Sequence, residues 1–217
     1  FAGTIYMRIN YLDHFKVLAL VLMTFFHYKF VSFIYTGNSL TYTDNSIGFV
    51  ARFLFLMLFG VHYKSYLTKF SHKISKLILT SVIITIASFV FDSPYTIVFG
   101  VIHFFTLCAC VFRYFPRLIY ALGFISTVFL FVELPDLSHN WFLIFGLTTP
   151  NFSSYDYFPF LPFFSYVFCG VLYRDYIIDK QIFTWDLPKN PCIQFLAQHS
   201  LAFYLLHVPI ILLVHYM

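Results

Sequence analysis

The sequence predicts an all-α integral membrane protein, a bundle of about seven transmembrane helices with a cytoplasmic N-terminus. Hydrophobic residues make up 60% of the 217 residues and charged residues only 10%, far below the roughly 25% typical of a soluble domain. Mean hydropathy is +0.81. The few lysines and arginines are also concentrated in alternate loops, which is the charge pattern of a membrane protein with a fixed orientation.

Seven apolar runs are candidates for the helices, since a membrane-crossing helix needs about 20 residues. In order they are Tyr11–Phe33, Ile47–Tyr66, Ile74–Phe91, Ile97–Phe112, Leu118–Val132, Phe158–Tyr173 and Ile193–Met217. The stretch Trp141–Leu147 is too short to cross a bilayer and is predicted to be an interfacial or re-entrant segment. No linker interrupts the chain, so we expect a single transmembrane domain covering residues 1–217.

Positive charge occurs in every second loop. The segments "LTKFSHKISK", "RYFPR" and "RDYIIDKQIFTWDLPKN" contain it, whereas the three other loops have no Lys or Arg. Positively charged loops stay in the cytoplasm, which predicts that the N-terminus is inside. The first ten residues, "FAGTIYMRIN", lack the apolar core of a signal peptide. Because they also lack an initiator Met, we expect the chain to begin within a longer precursor.

Polar residues inside the apolar runs are the functional candidates, because a Lys at the centre of a membrane helix costs about 2.5–3.5 kcal/mol. The predicted topology places several of them in one layer near the outer surface: His27, His103, His207, Asp156, Lys29 and Arg52. The structural alternatives are a histidine that bonds a backbone carbonyl and a lysine whose alkyl stem reaches water. The coincidence of depth favours a common site.

The last predicted helix carries a polar face. Ser200, Tyr204 and His207 recur at i, i+4 and i+7 and therefore lie on one side of a helix. A polar face on an otherwise apolar helix is expected to point into the bundle. Pro209 lacks an N–H donor and is predicted to kink the helix beside His207.

Five stretches together resemble the motifs of a known family. They are "RINYLDHFKVLALVLMTFFHYKF", "FLFLMLFGVHY", "VFGVIHFFTL", "DYFPFLPFFSYVFCGVLYR" and "QHSLAFYLLHVPIIL". In this order they resemble bacterial DUF1624 membrane proteins, which are grouped with the catalytic domain of heparan-α-glucosaminide N-acetyltransferase. The resemblance extends from Arg8 to Leu213 and depends on all five motifs in register.

The resemblance implies a transmembrane acyltransferase. Such an enzyme moves an acyl group, expected to be acetyl, from cytosolic acetyl-CoA to an amine or hydroxyl of a sugar-containing acceptor on the outer side. The family's site residues correspond here to His27, His103, Asp156, His199, Ser200, Tyr204 and His207. The chain departs from the family where an Arg and a Gly are replaced by Lys16 and Val17. The loop "TGNSLTYTDNS" also lacks the histidine that is active in the eukaryotic enzyme.

Acyl transfer requires a base for the acceptor and a positive group for the oxyanion. An imidazole near its usual pKa of about 6.5 suits the first role. We predict that His27 is the general base and that His103 and His207 orient the acceptor or stabilise the oxyanion. Lys29 and Asp156 are the remaining catalytic candidates, and Lys29 or Arg52 would supply the positive charge.

Binding of the acetyl donor, acetyl-CoA, requires positively charged residues at the cytoplasmic end of the helix bundle. The phosphates of acetyl-CoA are predicted to bind Lys64, Lys69 and Arg113, although basic residues there also satisfy the positive-inside rule. The four cysteines, Cys108, Cys110, Cys169 and Cys192, lack metal-site spacing, so no metal is expected.

Two other classes of protein remain open at this stage. Intramembrane histidines also ligate b-type haem, and a layer of histidines suits the proton relay of a proton-coupled transporter. The predicted partners are the lipid bilayer, acyl-CoA and an extracytoplasmic sugar or glycoconjugate, without nucleic acid, and a homo-oligomer is left open. We expect the protein in a bacterial cytoplasmic membrane.

Overall fold

A computed structural model describes residues 9–37, 39–68, 71–90, 96–132, 134–154, 156–182 and 187–216. Within these ranges the regular structure is helical and contains no β-strand, which confirms the all-α class. The α-helices are α1 (Asn10–Thr36), α2 (Tyr42–Val61), α3 (Lys64–Thr68), α4 (Ser71–Val90), α5 (Val101–Tyr114), α6 (Ile119–Val128), α7 (Phe160–Tyr173), α8 (Pro191–Gln198) and α9 (Ser200–Tyr216). Short 3₁₀ segments cover Pro116–Leu118 and Asn140–Phe145, and a π-helical turn covers Arg174–Ile178.

The helices fall into two compact units. The first contains residues 1–58 and 181–217, and the second contains residues 59–180. In the first unit α1 packs against α8 and α9, and in the second α4 packs against α5 and α6 against α7. Both units belong to one continuous chain, and the single transmembrane domain stays a prediction.

Two helices of the first unit begin with side-chain caps. Before α2, the backbone N–H of Thr41 donates to the carboxylate of Asp44 at 3.0 Å, and the N–H of Asp44 donates to the Thr41 hydroxyl at 3.2 Å. This reciprocal pair satisfies two donors that the first turn leaves open. Asn190 caps α8 by accepting from the N–H groups of Cys192 and Ile193, and Pro191 follows at the first helical position, where no donor is needed.

Close packing in the second unit depends on a glycine and on stacked phenylalanines. A Cβ on Gly60 would lie 1.9 Å from the carbonyl oxygen of Val167, so only glycine lets the end of α2 approach α7 this closely. The preceding residue, Phe59, stacks on Phe105 with ring centroids 4.2 Å apart and lies 6.0 Å from Phe112. The many phenylalanines of the chain therefore form part of its core.

Three helices are long and apolar enough to cross a membrane: Asn10–Thr36, Tyr42–Val61 and Lys73–Val90. Two further candidates are bent pairs, α5 with the segment that includes α6 (106°) and α8 with α9 (78°). The described chain thus has three to five candidate spans, which fits an all-α membrane protein.

This number differs from the predicted seven, although each of the seven apolar runs contains a helix. The difference comes from helix length. The α7 helix has 14 residues, about 21 Å at the usual rise, whereas the hydrocarbon core is about 30 Å thick. The α5 and α6 helices are also shorter than the runs that predicted them, because α5 begins only at Val101 and α6 ends at Val128.

The C-terminal segment has a sharp bend at a residue that the sequence does not predict. Pro209 lies inside α9, whereas the 78° bend separates α8 from α9 at His199, ten residues earlier. The chain turns there because α8 ends at Gln198, one residue before the bend. The ring of His199 remains exposed and donates from Nδ1 to the carbonyl of Phe195 at 2.9 Å.

Candidate active site

Two histidines of the first unit are in direct contact. Nδ1 of His27, in α1, lies 2.7 Å from Nε2 of His207, in α9, and the ring centroids are 4.8 Å apart. Both side chains are half-buried. The fold therefore brings together two predicted site residues that are 180 positions apart in the sequence. We call His27 and His207 the histidine pair.

The direction of this hydrogen bond follows from the other nitrogen of His207. Its Nδ1 contacts the backbone carbonyl of Tyr204, and a carbonyl oxygen only accepts. A neutral His207 therefore carries its proton on Nδ1, and its Nε2 accepts from Nδ1–H of His27. The lone pair of a neutral His27 is then on Nε2, which has no hydrogen-bond partner among the residues that the structure describes.

Aromatic rings surround the histidine pair. Tyr204 lies 5.3 Å from His207 and stacks on Phe55 of α2 at 5.4 Å, while Phe26 lies 5.7 Å from His27. The polar face of the last helix thus contacts α1 and α2, as its periodicity predicts. Because the surroundings are apolar, charges near the pair are screened less than they would be in water.

The two cations predicted for this layer differ in their relation to His27. Arg52 of α2 is near enough to His27 for an electrostatic interaction. Lys29 is exposed, lies over the ring of Phe25 at 5.8 Å and interacts electrostatically with Asp44. Residues two apart on a helix do not face each other. Arg52 is therefore better placed than Lys29 to act on the histidine pair.

In the second unit, His103 caps the helix that contains it. Its Nδ1 accepts from the N–H of Gly100 at 3.2 Å, and its Nε2 lies 2.9 Å from the hydroxyl of Thr85. That hydroxyl donates to the carbonyl of Ile97 at 3.0 Å and so accepts from Nε2–H of His103. Both ring nitrogens of a neutral His103 are thus engaged in hydrogen bonds.

Asp156 also caps the N-terminal end of α5. Its Oδ2 accepts from the N–H of Val101 at 3.0 Å, and a Cβ on Gly100 would lie only 2.4 Å from that oxygen. A carboxylate is favourable at this position, because the first turn of a helix has open donors and a positive dipole end. His103 and Asp156, both predicted as site residues, are therefore brought together at the start of α5.

Lys64, predicted to bind donor phosphates, is surrounded by carboxylates. Its Nζ lies 2.9 Å from Asp175 and also pairs with Asp179. Asp179 in turn lies 2.9 Å from Nε of Arg174. We call Lys64, Arg174, Asp175 and Asp179 the ionic cluster. Its acidic members lie in and just after the π-helical turn that follows α7, and such turns are frequent at functional sites.

Two tyrosines complete the surroundings of Asp175. The hydroxyl of Tyr63 lies 2.7 Å from one carboxylate oxygen, and that of Tyr120 lies 2.6 Å from the other. Burial would raise the pKa of Asp175, but the hydrogen bonds from Tyr120, Tyr63 and Lys64 hold it below its usual value. Burial would lower the pKa of Lys64, but its bonds to Asp179 and Asp175 raise it. Lys64 and Asp175 are therefore both charged at neutral pH.

Of the two other residues predicted to bind the phosphates of acetyl-CoA, only Arg113 is among the described residues. Arg113 donates from Nη1 to the backbone carbonyl of Leu67 at 2.7 Å, which ties α5 to α3, the short helix that begins with Lys64. Lys69 lies outside the described residues. Lys64 and Arg113 are thus held at the same short helix by contacts within the protein.

Sequence reasoning misses three of the residues that complete these arrangements: Thr85, Asp175 and Asp179. A signal existed for the two aspartates, since residues four apart share a helix face and could have been paired with the cations of the neighbouring loops. For Thr85 there was no comparable signal, because one hydroxyl in an apolar helix is ordinary and its partner His103 lies on the next helix.

The helical fold and the histidine pair place the chain in a broad class, the helical membrane proteins that carry titratable residues among apolar helices. Residues 8–209 match the family model described as heparan-alpha-glucosaminide N-acetyltransferase, catalytic, and the chain belongs to this family. No curated protein and no solved structure matches the chain. The family indicates a membrane acetyltransferase.

Proposed function

We propose that the protein transfers an acetyl group from cytosolic acetyl-CoA to an amine or hydroxyl of a sugar-containing acceptor on the outer side of the membrane. Membership of the acetyltransferase family supports this function over a haem protein or a proton-coupled transporter. The observation that carries the proposal is the hydrogen bond from His27 to His207, since it leaves Nε2 of His27 as a lone pair aimed away from its partner.

The proposed reaction uses His27 as the general base. The acceptor nitrogen or oxygen attacks the thioester carbonyl, the new C–N or C–O bond forms, and the C–S bond breaks. Nε2 of His27 takes the proton that the acceptor loses and returns it to the departing CoA thiolate. Acetylated acceptor and CoA with a free thiol are the products, and no further reactant is needed.

His207 acts as a positioning residue in this proposal. By accepting from Nδ1 of His27, it fixes the ring and keeps the basic lone pair on Nε2, the role that the third group of a catalytic triad has for its histidine. When His27 takes a proton, the same hydrogen bond becomes charge-assisted and stronger. The positive charge of Arg52, with Lys29 further out, would stabilise the oxyanion of the tetrahedral intermediate.

His103 and Asp156 are assigned a supporting role in catalysis. Their hydrogen bonds hold the start of α5, and we propose that full activity requires this helix end to be held in place. Lys64, Lys69 and Arg113 are proposed to bind the phosphates of acetyl-CoA. For Lys64, donor phosphates would have to compete with Asp175 and Asp179.

The proposed orientation places the N-terminus in the cytoplasm, with the candidate spans crossing a bacterial cytoplasmic membrane. The alternation of loop charge supports it. A cysteine introduced at Ser154 should react with an impermeant reagent added to intact cells, and one at Ser71, in the lysine-bearing segment, should not. The exposed native cysteines, Cys169 and Cys192, are replaced beforehand. The reverse labelling pattern would contradict the orientation.

The activity itself is tested with purified protein in nanodiscs, radiolabelled acetyl-CoA and glucosamine as the acceptor. The proposal expects acetyl transfer to the sugar, with one CoA thiol released for each acetyl group. Glucose, which has hydroxyls but no amine, distinguishes N- from O-transfer. Binding of acetyl-CoA without transfer to either sugar or to an oligosaccharide glycan would contradict the proposed acceptor class, and failure to bind acetyl-CoA would contradict the function.

A further inference from the structure

The segment between α6 and α7 exposes several large apolar side chains. Trp141, in the 3₁₀ helix Asn140–Phe145, is 83% exposed, and Phe142, Ile144 and Phe145 are also exposed. This six-residue helix is about 12 Å long at the usual rise and cannot cross a bilayer. A surface of this kind on a protein indicates a contact with another apolar phase or molecule.

The backbone beneath these side chains is held by hydrogen bonds within the second unit. The hydroxyl of Tyr157 donates to the carbonyl of Leu143 at 2.5 Å. The side-chain oxygen of Asn140 accepts from the N–H of Thr149 at 2.7 Å, and Leu137 donates to the carbonyl of Thr148 at 2.9 Å. The aromatic side chains are therefore presented by a backbone with fixed contacts, which lowers the entropy cost of binding.

The chain that leads into this segment also exposes apolar side chains. Phe124 and Val128 on α6 are exposed, and Phe131, just after the helix, is 86% exposed. The α6 helix belongs to one of the bent pairs that are apolar enough to cross a membrane. No Lys or Arg occurs between Arg117 and Arg174, so this stretch of chain offers no lysine or arginine to an anionic headgroup or a phosphate.

We propose that the segment Asn140–Phe145 lies in the headgroup region of the bilayer and inserts its aromatic side chains at the boundary with the acyl chains. Tryptophan prefers this boundary because its large ring is apolar and its indole N–H can still reach a polar partner. Lipid is favoured over other occupants because the segment follows α6, part of a candidate membrane span, within a stretch of chain that has no Lys or Arg. The inference goes beyond the proposed acetyl transfer and does not depend on it.

The test uses tryptophan fluorescence, since the chain has two tryptophans, Trp141 and Trp185. In the Trp185→Phe variant the emission comes from Trp141 alone. The protein is placed in nanodiscs whose lipids carry bromine either close to the headgroup or near the chain end. We expect stronger quenching by the shallow bromines than by the deep ones, and protection from acrylamide in the aqueous phase.

A matched control covers the case in which Trp185→Phe does not fold. The difference in emission between the wild type and Trp141→Phe gives the same signal with Trp185 intact. Emission that acrylamide quenches and that neither brominated lipid affects would overturn the proposal. So would an emission that brominated lipids leave unchanged but that added glucosamine or glycan shifts, since that result would identify a sugar-binding surface.

Discussion

Nδ1 of His27 donates a hydrogen bond to Nε2 of His207 over 2.7 Å. Since His207 directs its own Nδ1 to the carbonyl of Tyr204, the two imidazoles have different roles. His27 presents the lone pair, and His207 fixes its direction.

This asymmetry predicts unequal effects of two substitutions at His207. In His207→Gln the side-chain oxygen can still accept from His27, whereas in His207→Leu no acceptor remains. We expect His207→Leu to lower kcat more than His207→Gln, with KM for acetyl-CoA unchanged in both and the pH profile of kcat shifted in the leucine variant. Steady-state kinetics over a pH series measure this. Equal losses in the two variants would mean that His207 does not act through its hydrogen bond.

Substitutions in the hydrogen-bond network at the start of α5 are expected to lower the stability of the protein and to leave the binding of acetyl-CoA unchanged. Thr85→Val removes the hydroxyl that links His103 to Ile97 and leaves an N–H of the half-buried His103 without its acceptor, which costs towards the lower end of the roughly 1–3 kcal/mol of a fully buried group. Thr85→Ser keeps the hydroxyl and is the matched control. We expect thermal inactivation in detergent at a lower temperature for the valine variant and near the wild-type temperature for the serine variant. Identical inactivation temperatures for the wild type and the two variants would mean that this network does not contribute to the stability of the unit.

The proposed donor site predicts a selective change in KM. Charge-neutral substitution of Lys64 or Arg113 should raise the KM for acetyl-CoA and leave the KM for the acceptor unchanged, because only the donor carries phosphates. Lys180→Gln is a suitable control, since among the described residues that lysine has a cation–π contact with Tyr176 and no hydrogen bond or ion pair. Donor kinetics that remain at the wild-type level in both variants would mean that Lys64 and Arg113 serve structure alone.

The ionic cluster predicts a loss of stability in acid. The pKa of Asp175 in the folded protein is below its usual value, so its carboxylate contributes stability above the unfolded pKa of about 3.9. This contribution is lost as the pH falls through the lower, folded pKa. Asp175→Asn should be less stable than the wild type at neutral pH, and the difference should shrink below about pH 4. Denaturant unfolding at several pH values measures it, and a difference independent of pH would contradict this role.

The apolar runs predicted where helices occur, and the spacing of Tyr204 and His207 predicted which face of the last helix contacts the others. Two features depended on contacts that are distant in sequence. Asp156 reaches Val101 from 55 positions away, and Asp175 pairs with Lys64, which was assigned to phosphate binding because acetyl-CoA needs cations at the cytoplasmic side. The break at His199 could not be predicted either, because neither Pro nor Gly marks it.

The central claim is that His27 is the general base, and a rate measurement on His27→Gln tests it most directly. Glutamine preserves the polarity and roughly the size of the side chain but cannot take a proton. Acetyl transfer is measured at saturating acetyl-CoA, with donor binding shown to be intact in each variant and His103→Gln as the comparison. The account predicts a rate about 10²–10⁴ lower for His27→Gln and a smaller loss for His103→Gln. A near wild-type rate in His27→Gln together with an inactive His103→Gln would contradict it.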